Sequence, residues 1–118
     1  MRRGEVWTVS GRGPYAGKPR PAVIIQDDRF DSNDSVAVCA FTTDLTESPL
    51  LRLPVAPTEQ NGLREPSFLM VDKITTLPRG RMGARIGRLD TEAVARLDQA
   101  FVVFLGLATR GRRRSLRR

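Results

Sequence analysis

The chain has 118 residues, enough for one hydrophobic core, and its 40% hydrophobic and 28% charged side chains are the balance of a globular domain. A single cysteine and no histidine exclude an intrachain disulfide and histidine acid–base chemistry, and they argue against a zinc site, which draws on several Cys or His ligands. The net charge of +7 does not mark a basic face, because six arginines fall within the final nine residues and leave the body of the chain close to neutral.

Arg2 and Arg3 are followed by Gly4 and Glu5 rather than by an apolar stretch, so the start does not read as a signal peptide. No apolar run approaches the roughly 20 residues of a membrane span, and a cytoplasmic protein with no membrane partner is expected. Residues 5–9 (EVWTV) suit a first strand anchored by Trp7. Residues 10–19 hold three glycines and two prolines and form a loop. A second strand covers 21–26 (PAVIIQ), where proline is tolerated at the first position, and Arg20 stands just before it, between two prolines. Residues 27–34 are polar and turn-like, and 35–42 (SVAVCAFT) make a third, largely buried strand around Cys39.

Leu51, Leu53 and Val55 alternate with Arg52 and Pro54, the period of a half-exposed strand with Arg52 facing water. An Asn-Gly turn signal lies within 58–65 (TEQNGLRE). Strands follow at 67–74 (SFLMVDKI) and 84–87. The period then changes to that of a helix, with Asp90 as N-cap, Glu92 in the first turn, and Val94, Leu97, Phe101, Phe104, Leu105 and Ala108 at core spacing. Val102, Val103 and Leu107 lie outside that face, which points to a partner subunit. The last residues, 109–118, form a basic segment expected to be disordered, either simply solvated or acting as a salt-sensitive tether to phosphate. Five or six short strands and one helix predict a mainly β domain over residues 1–108, a small, strongly bent sheet or partly open barrel.

Four short motifs, in order, resemble the MazF/PemK/Kid family of toxin ribonucleases from type II toxin–antitoxin modules. They are RGEVW at 3–7, RPAVII at 20–25, FTT at 41–43, and SFLMVDKITT at 67–76 with GRL at 87–89. The resemblance covers about residues 2–108. It implies an SH3-like barrel of the CcdB/MazF/Kid type and a homodimer formed in part through the terminal helix. It also implies metal-independent, sequence-specific cleavage of single-stranded RNA with no cofactor, leaving 2′,3′-cyclic phosphate and 5′-hydroxyl ends. The implied protein partner is a cognate, MazE-like antitoxin whose extended acidic segment covers the RNA groove.

Such cleavage needs charge stabilisation at phosphorus, removal of the 2′ proton and protonation of the leaving oxygen. Arg20 matches the family's arginine and suits the first task, because a guanidinium grips two phosphate oxygens and does not readily lose its own proton; the resemblance also implies an acid–base part for it. The alternative is an ion pair with Asp27, Asp28 or Asp72. Thr42 matches the family's threonine and can donate to a non-bridging oxygen, or it is strand filling. Some relatives carry an acid or histidine in the loop before the arginine; here that loop is GPYAGKPRP (13–21), with Tyr15 where the acid would stand. The proton acceptor is therefore unassigned. Asp72, matching an aspartate of the Kid-type site, is the acidic candidate, against a carboxylate that is merely paired with Lys73.

Lys18 can contact phosphate and Tyr15 can stack on a base, while Thr43, Ser67 and Lys73 are further candidates for the groove lining. Two rival readings keep the fold. One is a CcdB-like gyrase poison, which depends on a C-terminal Trp-Gly-Ile; this chain ends Leu116-Arg-Arg118 and holds its one tryptophan at Trp7. The other is a non-catalytic RNA-binding barrel.

Overall fold

The computed structural model describes residues 1–10, 18–44 and 51–107; Tyr15, Ala108 and the basic segment 109–118 lie outside them. Six strands, β1 (Glu5–Val9), β2 (Arg20–Ile24), β3 (Ser35–Thr42), β4 (Arg52–Val55), β5 (Ser67–Pro78) and β6 (Met82–Arg88), precede one helix, α1 (Thr91–Phe104). They form one antiparallel sheet in the order β4-β5-β3-β2-β1-β6. The hydrogen-bonded ladder stays open between β4 and β6. The segment after β4 nevertheless reaches β6, where the Arg88 N–H donates to the Gln60 carbonyl at 2.9 Å. The sheet is thus bent almost into the expected barrel.

β-branched and aromatic residues line both faces of the central strands. Val6, Val23, Cys39, Phe41, Leu69 and Val71 pack beneath Leu97 and Phe101 of α1, and Ala22, Ile24, Val36, Val38 and Leu77 fill a second cluster. The Asp90 carboxylate caps α1 by accepting from the Ala93 N–H at 2.7 Å, and Glu92 sits in the first turn, both as expected. The opening motif holds the barrel to its helix. Arg3 donates to the Ile25 carbonyl and to Asp98 of α1, each at 2.8 Å. Gly4, at φ +91°, donates to the Ile24 carbonyl and accepts from the Leu89 N–H.

Four expectations are corrected. Arg20 is the first residue of β2 rather than the residue before it. β5 and β6 run longer than expected, because the threonine-rich half of β5 pairs along the start of β3. The Arg52 side chain is not on the wet face of β4 but 3% exposed, paired with Asp72. On α1 the core positions are Ala93, Leu97 and Phe101; Phe104 and Leu105 are 40% and 50% exposed.

Candidate active site

β2 and β3 pair antiparallel with Ala22 opposite Ala40. Arg20 lies two residues before Ala22 and Thr42 two residues after Ala40, so the start of one strand and the end of the other reach the same rim. Residues opposed in an antiparallel pair share a face. Both side chains line one groove of about 530 Å³, together with Lys18, Thr43 and Ser67. Five residues expected in the site, contributed by three strands and two loops, therefore meet in one depression.

The details refine their roles. The Thr42 Oγ1 accepts a hydrogen bond from the Asp44 N–H at 3.0 Å, which leaves its own proton available for donation into the groove. Arg20 is exposed, and the aspartates weighed as its structural partners pair elsewhere. Asp27 holds Arg29 at 3.1 Å, Asp28 holds Arg2 at 3.3 Å, and Asp72 holds Arg52 at 2.5 Å. Ser67 is buried, and its hydroxyl donates to the Glu65 carbonyl at 2.9 Å, so it braces the wall.

Asp72 and Lys73 are not among the groove residues. Loss of water raises the Asp72 pKa, but the hydrogen bonds from Arg52 and from its own N–H, with the charges of Arg52 and Lys73, outweigh that and hold it below the ordinary carboxylate value. A carboxylate so held is a weak proton acceptor. Cys39, expected to be inert packing, has no exposure, and burial with the nearby Asp72 charge pushes its thiol up to about 12.

The sequence reading missed one stretch of the groove. Residues 62–65 also line it, adding Leu63, Arg64 and Glu65 beside Thr8 and Ile86. The Asn-Gly signal at 61–62 was the available clue, and it marked a turn without saying where the turn docks. Asn61 is buried, its Oδ1 accepts from the N–H groups of Thr58 and Leu63, and its Nδ2 donates to the Ala56 carbonyl. Gly62, at φ +75°, lies so close to β6 that a Cβ there would stand 2.1 Å from the Ile86 carbonyl oxygen.

A family model described as the PemK-like, MazF-like toxin of type II toxin–antitoxin systems matches residues 2–105. The chain belongs to this family. It is 53% identical over 108 residues to a probable endoribonuclease MazF of Mycolicibacterium smegmatis, covering 92% of this chain and 99% of that protein. The Mycobacterium tuberculosis toxin MazF-mt6 superposes with a TM-score of 0.73 at 23% identity, over 88% of this chain and 98% of the toxin. A mycobacterial endoribonuclease solved with its cognate antitoxin superposes with a TM-score of 0.72 at 19% identity, over 92% and 95% of the two chains. The structural matches bear out the expected fold, and the family model with the M. smegmatis relative bears out a MazF-type toxin endoribonuclease. No helix of the described residues is long and apolar enough to cross a membrane.

Proposed function

We propose that the groove takes single-stranded RNA and cuts it without a metal ion, the ribose 2′-oxygen attacking the adjacent phosphorus to leave a 2′,3′-cyclic phosphate and a 5′-hydroxyl. The observation that carries this reading is that Arg20 and Thr42, from the neighbouring strands β2 and β3, line one accessible groove. Arg20 offsets the charge that builds on the phosphorane, and the Thr42 hydroxyl, fixed by the Asp44 N–H, donates to a non-bridging oxygen. Lys18 adds a second cation for the phosphate chain, and Thr43 a hydroxyl beside it. A positive, open groove also suits the acidic extended segment of a cognate antitoxin, which would compete directly with RNA. The toxin acts in the cytoplasm, where its RNA is.

Incubating the purified protein with total RNA in excess chelator, then mapping the new ends, tests the reading. Cleavage at a short recurring sequence with 5′-hydroxyl ends is expected. Intact RNA, or cutting that needs an added metal, overturns it. Arg20→Ala should lower the rate by about 10²-fold or more, the scale of removing a preorganised charge donor from a transition state. Its melting temperature should stay near the parent's, since the side chain is exposed.

A further inference from the structure

The proposed cleavage needs a group to take the 2′ proton, and the chain offers few. It has no histidine. Arg20 does not give up its own proton readily enough to accept another. Asp72 is outside the groove and hydrogen-bonded to a buried guanidinium. Among the described residues lining the groove, Glu65 is the one carboxylate.

Its position is built rather than incidental. Leu63 and Ser67, on either side of it, are buried. The turn before it is locked by the hydrogen bonds of Asn61 and by the Arg88 bond to Gln60. The Glu65 carbonyl is held by the Ser67 hydroxyl at 2.9 Å. Between these anchors the Glu65 side chain is exposed, and no ion pair engages its carboxylate among the described residues. The backbone on both sides is thus held while the carboxylate stays open to an incoming ribose.

We propose that Glu65 is the catalytic base of this groove, an inference that rests on the ribonuclease reading above. The 2′-hydroxyl proton passes to a Glu65 carboxylate oxygen, and the freed 2′-oxygen forms its bond to the neighbouring phosphorus. The bond from phosphorus to the 5′-oxygen breaks, and that oxygen takes a proton from water. Glu65 then returns its proton to solvent, so the site is restored with no change of oxidation state. Arg20 and Thr42 act on the phosphoryl oxygens throughout.

The test uses the full chain and an oligoribonucleotide carrying the sequence mapped from total RNA. Single-turnover cleavage is followed for the parent, Glu65→Gln, Glu65→Asp and the control Glu59→Gln, an exposed acid outside the groove. Binding is measured with the same oligonucleotide bearing a 2′-deoxyribose at the cut. Glu65→Gln should cut at least about 10²-fold more slowly, the usual worth of a general base, and bind the deoxy analogue within threefold of the parent. Glu65→Asp should keep more of the rate than Glu65→Gln, and Glu59→Gln should stay within threefold of the parent. A Glu65→Gln rate within threefold of the parent overturns the proposal. So does a rate loss matched by an equal loss of binding, which marks a base-reading residue. A parent that cuts no RNA removes the ribonuclease reading as well, whereas a parent that cuts beside an equally active Glu65→Gln removes this inference alone.

Discussion

Arg52 and Asp72 form a pair in which a buried guanidinium holds a carboxylate ionised. The Arg52 side chain is 3% exposed and its Nε has no hydrogen-bond partner among the described residues, where Asp72 is the carboxylate that compensates its charge. Removing one partner of a buried pair costs more than replacing both with apolar groups. Asp72→Asn should therefore lower the melting temperature clearly, and adding Arg52→Met should recover most of the loss, because β4 already sets Arg52 opposite Met70. The pH dependence follows from the depressed Asp72 pKa. A carboxyl lowered in the folded state stabilises above its unfolded value, about 3.9, and that stabilisation disappears as pH falls through the folded value. Thermal melts between pH 7 and pH 2.5 should show the parent losing stability below about pH 4 more steeply than Asp72→Asn. Parallel acid profiles would mean that the pair contributes nothing to folding.

The turn at residues 58–66 carries the corresponding argument for a whole element. β4 and β6 are the two edges of the sheet, and this turn is the piece that brings them together. It fits because both contacting positions lack side chains: a Cβ on Gly62 would meet the Ile86 carbonyl, and one on Gly87 would stand 2.4 Å from the Gln60 carbonyl oxygen. Gly62→Ala adds the strain of a positive φ to that overlap and should cost about 2 kcal/mol or more, read by chemical denaturation. Cleavage should fall further than stability alone explains, since Leu63 to Glu65 are placed by this turn; unchanged activity in the folded fraction would argue that the wall is not needed.

The same turn marks the limit of what local pattern discloses. β1, β3 and the start of α1 were legible because alternation, β-branching and an Asp N-cap act within a few residues. Arg20 and Thr42 were legible through short motifs on two such strands. The place of residues 62–65 in the groove wall was not, because this polar turn docks against a strand more than twenty residues away. The burial of Arg52 was hidden for a related reason. Period two says which residues share a face, and the β4–β5 register, which sets Arg52 opposite Met70 two residues from Asp72, brings the carboxylate within reach.

At the scale of the molecule, the feature the isolated chain leaves unexplained is the end of α1. The hydrophobic spacing continues past Phe101, yet Val103, Leu105 and Leu107 are 65%, 50% and 61% exposed, with Phe104 beside them. Four large apolar side chains within five residues are too many for chance exposure on a small domain, and contiguous patches of this kind mark interaction surfaces. A second copy presenting the same helix end would bury each patch against its equal in an isologous contact. Sedimentation equilibrium at micromolar concentration should then give twice the monomer mass for the parent and the monomer mass for a Val103→Glu, Leu107→Glu double variant. Because both side chains are exposed, the variant should keep the parent's secondary structure by circular dichroism. Its melting temperature should lose the dependence on protein concentration that a dimer confers. A parent that sediments as a monomer would assign the patch to a different partner, with the antitoxin the first to test by adding its acidic segment and asking whether Val103→Glu weakens the complex.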